Sequence, residues 1–351
     1  MQIKSDYITA LKKEISFRKD ELNQQEITTL YFGGGTPSQL DISDWKEIFD
    51  HLHSCFDLSK ATEITLEANP EDLTEEYILN LSQLPFNRIS IGIQSFLDSD
   101  LKSLNRRHNS ERAIQAVKKC KALGFDNISI DLMYGLPGQS LEQWKENLEI
   151  ALSLGIQHIS SYHLIYEEGT ALYHQLKKGK IKPIDEDLSL EMFQTLIQTL
   201  KDAGFIHYEI SNFALPGYFS KHNSSYWKGI TYLGLGPSAH SFDGINRYYN
   251  PSNIKDYISS PIDRTSEILS IDEQYNDLIL TSLRTYWGLD LNEVKTKFGN
   301  DKYNYCLEMA KQHIDSKNVF LENNTLKISE EGIFISDSIM SDLMYISDDD
   351  Q

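Results

Sequence analysis

Cysteine is scarce in this sequence: Cys55, Cys120 and Cys306 lie far apart, with no CxxC or similar spacing and no even count. That excludes a disulfide framework, and each reads as a small buried apolar residue on a helix rather than a ligand. Long apolar runs are also missing. None approaches the length that crosses a bilayer, and Met1-Gln2-Ile3-Lys4-Ser5-Asp6 lacks the apolar core of a signal peptide, so a cytoplasmic location is expected. Positive charge is in deficit, with 33 Lys+Arg against 52 Asp+Glu and a formal net charge of −19. The basic residues are scattered, so a polyphosphate would be repelled and no nucleic-acid partner is expected.

What is present is a repeating pattern. The 351 residues suffice for one large α/β domain and a smaller one. The chain opens on a helical pattern over 5–22, with Tyr7, Ile8, Leu11, Ile15 and Leu22 at roughly helical spacing. An apolar run at 27–32 then ends in Gly33-Gly34-Gly35-Thr36-Pro37, and an amphipathic helix follows, capped by Asp41 or Ser43 and carrying Trp45, Ile48, Phe49 and Leu52. Strand, glycine turn, helix is the order. Glycines there allow positive φ and close approach of a ligand to the main chain, although three glycines alone also describe a plain tight turn. Further strand-like runs at 63–68, 88–93, 128–133 and 156–162 alternate with helical patterns at 73–84, 112–123, 141–154 and 188–203, several closed by Gly124, Gly155 and Gly204. Such a series predicts βα units with right-handed crossovers and a parallel sheet closed or half-closed into a barrel.

The faces of these strands are unusual. Ile89, Ile91 and Ile93 share one face while Ser90, Gly92 and Gln94 share the other; Ile128, Ile130 and Leu132 oppose Ser129, Asp131 and Met133; Ile64, Leu66 and Ala68 oppose Thr65, Glu67 and Asn69. If the aliphatic faces pack on helices, small polar side chains line the inside, where a sealed barrel would carry branched apolar ones. The expectation is an open barrel with a ligand cavity. Polar groups also collect at the C-terminal strand ends, at 33–36, Glu67 and Asn69, Gln94 and Ser95, Asp131 with Gly135, and His163 with Glu167. Barrels of this class place their chemistry on that face.

With Gly33-Gly34-Gly35-Thr36-Pro37, Glu67-x-Asn69-Pro70, Ile91-Gly92-Ile93-Gln94-Ser95, Leu104-Asn105-Arg106-Arg107-His108 and Asp131-Leu132-Met133-Tyr134-Gly135-Leu136-Pro137-Gly138-Gln139 in this order, the chain resembles the oxygen-independent coproporphyrinogen III oxidase-like radical SAM proteins, and within them the haem chaperones. Tyr208-Glu209-Ile210-Ser211-Asn212-Phe213-Ala214, His222-Asn223-x-x-Tyr226-Trp227 and Gly234-x-Gly236-x-x-Ala239-His240-Ser241 extend the match to most of the chain. The resemblance implies an open, partial TIM-type (βα)6-like barrel in which Gly34, Gly35 and Thr36 hold the methionyl end of S-adenosylmethionine, and Glu67, Gln94, Arg106 and Asp131 contact the rest. It further implies haem bound at His222, Asn223, Tyr226 and Trp227, with His222 as an iron ligand, and haem-accepting proteins as partners. Oxidative decarboxylation of coproporphyrinogen III is the alternative activity. Relatives hold a [4Fe–4S] cluster in an N-terminal CxxxCxxC loop; this sequence has no such spacing, and Ser220 stands where many relatives have Cys. No cluster and no reductive cleavage of S-adenosylmethionine are therefore expected of these residues. A first strand is expected to be missing, the chain being shortened at its start rather than remodelled.

The pattern changes after Pro251. Helices at 271–284, 291–298 and 303–314 precede a hairpin-like run, 319–328, with Asn323-Asn324 at its turn. The expected division is a barrel with the haem motif over 1–250 and a winged-helix-like domain over 251–351. That last part holds 9 Lys+Arg against 19 Asp+Glu, a net of −10, which favours a lid or partner surface over DNA. The tail Asp348-Asp349-Asp350-Gln351 is expected to be solvated and disordered, and self-association into a homodimer is left open.

Overall fold

In the computed structural model, residues 2–23 and 25–346 are described; the acidic tail lies outside them. In chain order the elements begin with α1 (Gln2–Arg18), β1 (Thr29–Phe32), α2 (Ile42–Cys55), β2 (Glu63–Ala68), α3 (Glu75–Leu81), β3 (Arg88–Gln94), α4 (Asp98–Ser103) and α5 (Ser110–Ala122). There follow β4 (Ile128–Tyr134), α6 (Leu141–Ser153), β5 (His158–His163), α7 (Ala171–Lys177), α8 (Glu186–Asp202), β6 (Ile206–Glu209), β7 (Asn212–Ala214) and α9 (Lys221–Trp227). The remainder comprises β8 (His240–Phe242), β9 (Asn246–Tyr249), α10 (Ile254–Ser259), β10 (Thr265–Ile268), α11 (Ile271–Leu283), β11 (Leu289–Asp290), α12 (Leu291–Asp315), β12 (Val319–Glu322), β13 (Thr325–Ile328) and α13 (Ser336–Leu343).

The chain falls into two compact units. One comprises residues 29–42 and 62–220, the other 1–28, 43–61 and 221–351. The first is built on a curled seven-stranded sheet in the order β1-β2-β3-β4-β5-β7-β6. Strands β1 to β5 are parallel, as the βα series predicts, and the sheet ends on β7, antiparallel to β5, and β6, which pairs antiparallel with β7 and so runs in the direction of β1 to β5. This antiparallel end is an addition to the expected parallel series: Ile210 and Ser211 turn the chain directly back, too short a link for a parallel crossover. Strand β1 lies at the other edge.

The outer face of the sheet is the core of this unit. Leu66, Ile89, Ile91, Ile93, Ile128, Ile130, Leu132 and Ile159 are fully buried, each burial contributing roughly 1.5–3 kcal/mol. Over them pack helices with the capping that the sequence suggested. Ser140 and Gln143 form a capping box at the start of α6, Asn109 and Asp185 cap α5 and α8, and Gly124, Gly155 and Gly204 take the positive φ that closes α5, α6 and α8.

The other unit contains two three-stranded antiparallel sheets, β10-β9-β8 and β11-β13-β12. The hairpin at 319–328 turns through Asn323 and Asn324, both at positive φ (49° and 64°), as a two-residue turn requires. The helices expected at 291–298 and 303–314 run on as α12, bent at Gly299 where φ is 83°. Helix α1 stops at Arg18 instead of continuing to Leu22: the backbone passes into turns closed by the Glu21 N–H on the Arg18 carbonyl (3.0 Å) and the Asn23 N–H on the Asp20 carbonyl (3.1 Å).

Glu14 is the hub of this unit. Its carboxylate is fully buried and accepts from Arg18 Nε (2.9 Å), Asn250 Nδ2 (2.6 Å), Tyr257 Oη (2.7 Å) and the Gly236 N–H (2.8 Å). Removing one partner of such a buried network strands the others in a dry site. Glu14→Ala is therefore expected to cost about 3–5 kcal/mol, with Glu14→Gln costing less, in urea unfolding followed by circular dichroism. A loss below about 1 kcal/mol would contradict this account of the unit.

Candidate functional site

The hollow of the half-barrel is assembled from the faces that the pleat turns away from the helices. Glu67 is in register with Ser90, Ser90 with Ser129, and Asp131 with Ser160, so the polar positions of β2 to β5 form rows across the sheet. At the lower end of the strands the rows are filled. His158 shares hydrogen bonds with Ser129 Oγ (2.7 Å) and Tyr208 Oη (2.7 Å), and Arg88 is buried nearby. Burial, reinforced by the Arg88 charge, holds His158 well below the ordinary imidazole range, so it is neutral, with one ring nitrogen donating and the other accepting.

At the C-terminal ends the groups named from the sequence converge. Glu67 is fixed at both oxygens: Tyr31 Oη donates to Oε1 (2.5 Å) and the Gly34 N–H to Oε2 (3.1 Å). That hold explains the residue before it in the turn. A Cβ on Gly33 would lie 2.5 Å from the Tyr31 ring and 2.7 Å from the Glu67 carboxyl carbon, so only glycine fits. Gly34 and Gly35 take φ of 73° and 120°, and a Cβ on either would meet nothing, which leaves an open main-chain cradle. Thr36 starts a short 3-10 turn over Pro37–Gln39 without capping it through its side chain.

On β3, Gly92 again makes room. The Arg106 guanidinium donates through Nη2 to the Gly92 carbonyl (2.7 Å) and to Asn69 Oδ1 (3.0 Å), and a Cβ on Gly92 would lie 3.3 Å from that nitrogen and 3.4 Å from Gln94 Nε2. Gln94 sits at φ 72°, uncommon for a residue with a side chain and a mark of local strain.

Asp131 completes the constellation. Its carboxyl is pushed up to about 7, first by burial and then by the Glu67 charge, against the lowering effects of Arg88, a hydrogen bond with Ser160, and Arg106. Ser160 in turn donates to Asn212 Oδ1 (2.9 Å), and Asn212 donates to Glu209 (2.5 Å), which ties the wall of the hollow to the antiparallel strands. Tyr162, on β5, is pushed up to about 12 by burial and by Asp131. The arrangement thus offers two carboxylates, a carboxamide and two phenols, together with a guanidinium and main-chain N–H groups. Those are partners for a small molecule bearing a cation, hydroxyls and a carboxylate.

The structure brings Gly34, Glu67, Gln94, Arg106 and Asp131 to one end of one sheet, with Gly35 and Thr36 following in the same turn. It places His222, Asn223, Tyr226 and Trp227 together on α9, in the other unit. There His222 Nε2 shares a hydrogen bond with Tyr226 Oη (2.8 Å), and Tyr226 meets Tyr232 edge-on with ring centroids 4.7 Å apart. Tyr31, Arg88 and Tyr162 are not among the site residues expected from the sequence, though the period of two that marks Ser90 and Gly92 also marks Arg88, and Tyr31 precedes the glycine run by two.

The thiols do not converge on this site. Cys120 and Cys306 are fully buried in α5 and α12, where burial pushes them up to about 12 and about 11, and Cys55 ends α2. They do not fit a [4Fe–4S] cluster, and no group of three or more His, Cys, Asp or Glu able to hold a metal occurs among the described residues.

An open parallel half-barrel with polar groups gathered at its C-terminal mouth is the architecture of radical SAM proteins, and the family model of the Radical SAM superfamily matches residues 11–151. The fold is similar to that of Escherichia coli coproporphyrinogen III oxidase, HemN, with a TM-score of 0.82 over 97% of this chain and 83% of that one, at 21% identity. Among sequences, the heme chaperone HemW of Lactococcus lactis is 32% identical over 95% of this chain and 88% of its own length. The Bacillus subtilis heme chaperone HemW is 33% identical over 84% and 79%. The chain belongs to the HemW heme chaperone family.

The position of Asp131 makes stability depend on pH. A carboxyl raised from 3.8 to about 7 keeps a proton in the folded state that the unfolded state releases, so its contribution falls as pH rises between those values. Thermal unfolding from pH 4 to 8 is expected to show that decline, and Asp131→Asn to flatten it and raise Tm at pH 8. An unchanged pH slope in the variant would refute the assignment.

Proposed function

We propose that this chain is a cytoplasmic haem chaperone that binds S-adenosylmethionine in the half-barrel hollow, takes up haem at α9, and passes it to haem-accepting proteins. The observation that carries the reading is the likeness to heme chaperones over 95% of the chain, together with His222, Asn223, Tyr226 and Trp227 on one short helix. An imidazole ligates iron, and aromatic faces suit a macrocycle. Haem is the cargo in this account, carried rather than consumed.

The donor set of the hollow fits S-adenosylmethionine. Glu67 and Asp131 suit its amine, ribose hydroxyls and sulfonium charge; Arg106 and the main chain at Gly35 and Thr36 suit its carboxylate, beside Gly34, whose N–H holds Glu67. Bound there, the nucleoside would supply an activated sulfonium carbon. The residues of the chain bind and orient it, with Gln94 and Arg106 held over Gly92. The three thiols, two of them buried in α5 and α12, do not fit a cluster. Coproporphyrinogen oxidation, the alternative drawn from sequence, therefore has no support in these residues beyond the likeness of fold.

Two measurements test the proposal. Hemin titrated into the protein is expected to give a saturable Soret shift that His222→Ala weakens by tenfold or so, the effect of losing one iron ligand at about 1.4 kcal/mol per decade. Absence of a shift, or an unaltered titration in the variant, defeats the haem assignment. For S-adenosylmethionine, a cationic ligand must expel the Asp131 proton below about pH 7. Calorimetric affinity is expected to fall about tenfold from pH 8 to pH 6, the ratio of ionised fractions for such a group, and to lose that dependence in Asp131→Asn.

A further inference from the structure

We propose that His108 is a positioning residue for Gln94: its imidazole, lodged between Ile93 and Glu71, holds the peptide that turns the Gln94 carboxamide into the hollow. The proposal rests on the S-adenosylmethionine reading above and adds what aims one of the contacts. Strand β3 pairs evenly with β4 as far as Ile91, and the register then shifts before Gln94. Pairing with β2 also ends at Ile91. A slip of this kind re-aims the residue that follows it, and it leaves the Gly92 and Ile93 carbonyls in need of donors.

The loop after α4 supplies them. Asn105, at φ 54°, follows the helix, and the Arg106 N–H returns to the Leu101 carbonyl (2.8 Å). From there Arg106 Nη2 donates to the Gly92 carbonyl (2.7 Å), and His108 Nε2 lies 3.0 Å from the Ile93 carbonyl. A carbonyl only accepts, so Nε2 carries a proton in that contact. On the far side of the ring, Nδ1 lies 3.1 Å from Glu71 Oε2, while Glu71 Oε1 accepts from Arg107 Nε (2.9 Å). The His108 side chain is fully buried, and Arg107, between the two residues that reach β3, is exposed.

Gln94 is the residue on which this loop acts. Its φ of 72° is costly for a residue with a side chain and persists only where the surroundings dictate it. The chain is held on both sides. His108 takes the carbonyl that precedes Gln94; beyond it, Ser95 Oγ donates to Asp100 Oδ2 (2.8 Å) and the Phe96 N–H to Asn147 Oδ1 (2.6 Å). So held, Gln94 Nε2 and Arg106 Nη2 lie 3.4 Å and 3.3 Å from the place a Gly92 Cβ would take, side by side in the hollow. An ion pair with Glu71 alone would leave the Ile93 contact without a purpose.

Two variants of the full chain separate the carbonyl contact from the Glu71 contact. In His108→Gln the amide nitrogen extends to the place of Nε2 and still donates to Ile93; in His108→Asn the shorter amide reaches only the Nδ1 side, toward Glu71. Calorimetric affinity for S-adenosylmethionine at pH 8 is expected to fall about tenfold in His108→Asn, the scale of one lost hydrogen bond, and to stay within about twofold of wild type in His108→Gln. Amide hydrogen exchange at Gln94 and Ser95, which needs no ligand, is expected to quicken in His108→Asn alone. Equal affinities or equal exchange rates in the two variants would overturn the proposal. Ring nitrogen-15 spectra of the wild-type chain, which need no variant to fold, are expected to show a proton on His108 Nε2, and a bare Nε2 would overturn it as well. Failure of the wild type to bind S-adenosylmethionine would remove the reading of the hollow, while the exchange comparison would still decide the positioning.

Discussion

The pleat of five parallel strands is the constraint on which the site depends. Because side chains alternate, a strand with isoleucine at every second position must turn whatever lies between them to the opposite side. Here the aliphatic set, from Leu66 to Ile159, is spent on the helices, and what remains is mostly Thr, Ser, Gly, Gln, Asp and Glu, with Arg88 and His158 at the bottom and Met133 and Tyr162 nearer the mouth. Such side chains are too small and too polar to fill a barrel, so the sheet curls around a hollow instead of a core. The helices stabilise the protein, and the alternation leaves the inner face to chemistry.

Within the hollow, electrostatic tension is arranged rather than avoided. Burial and then the Glu67 charge disfavour ionisation of Asp131, and Arg88, Ser160 and Arg106 offset only part of this. A cationic guest would offset the negative charge gathered beside Asp131. Tyr31 and the Gly34 N–H keep Glu67 from swinging away from that task. The lower rows, with neutral His158 between Ser129 and Tyr208, close the bottom of the hollow with satisfied hydrogen bonds.

Much of this was legible in the sequence because it is local. The strands from 63 to 134, the caps at Gly124, Gly155 and Gly204, and the Asn323-Asn324 turn follow from period and from backbone preference, and each reappears within a residue or two of its expected place. The convergence of Glu67, Gln94, Arg106 and Asp131 was readable as well, since the C-terminal ends of parallel neighbours must lie together. Long-range pairing was not readable. Nothing near Glu14 announces that Asn250 and Tyr257 answer it. The antiparallel ending at β6 and β7 also escaped, because three- and four-residue strands carry too little period to register.

Glu14 also has a consequence for the order of events at the ribosome. Its carboxylate finds Gly236, Asn250 and Tyr257 only after more than two hundred further residues have been synthesised. The half-barrel residues, 29–42 and 62–220, are all made before those partners emerge. During translation the nascent amino-terminal helix must therefore wait with its acid answered only by Arg18 and water, while the strand-rich middle of the polypeptide is already free to collapse.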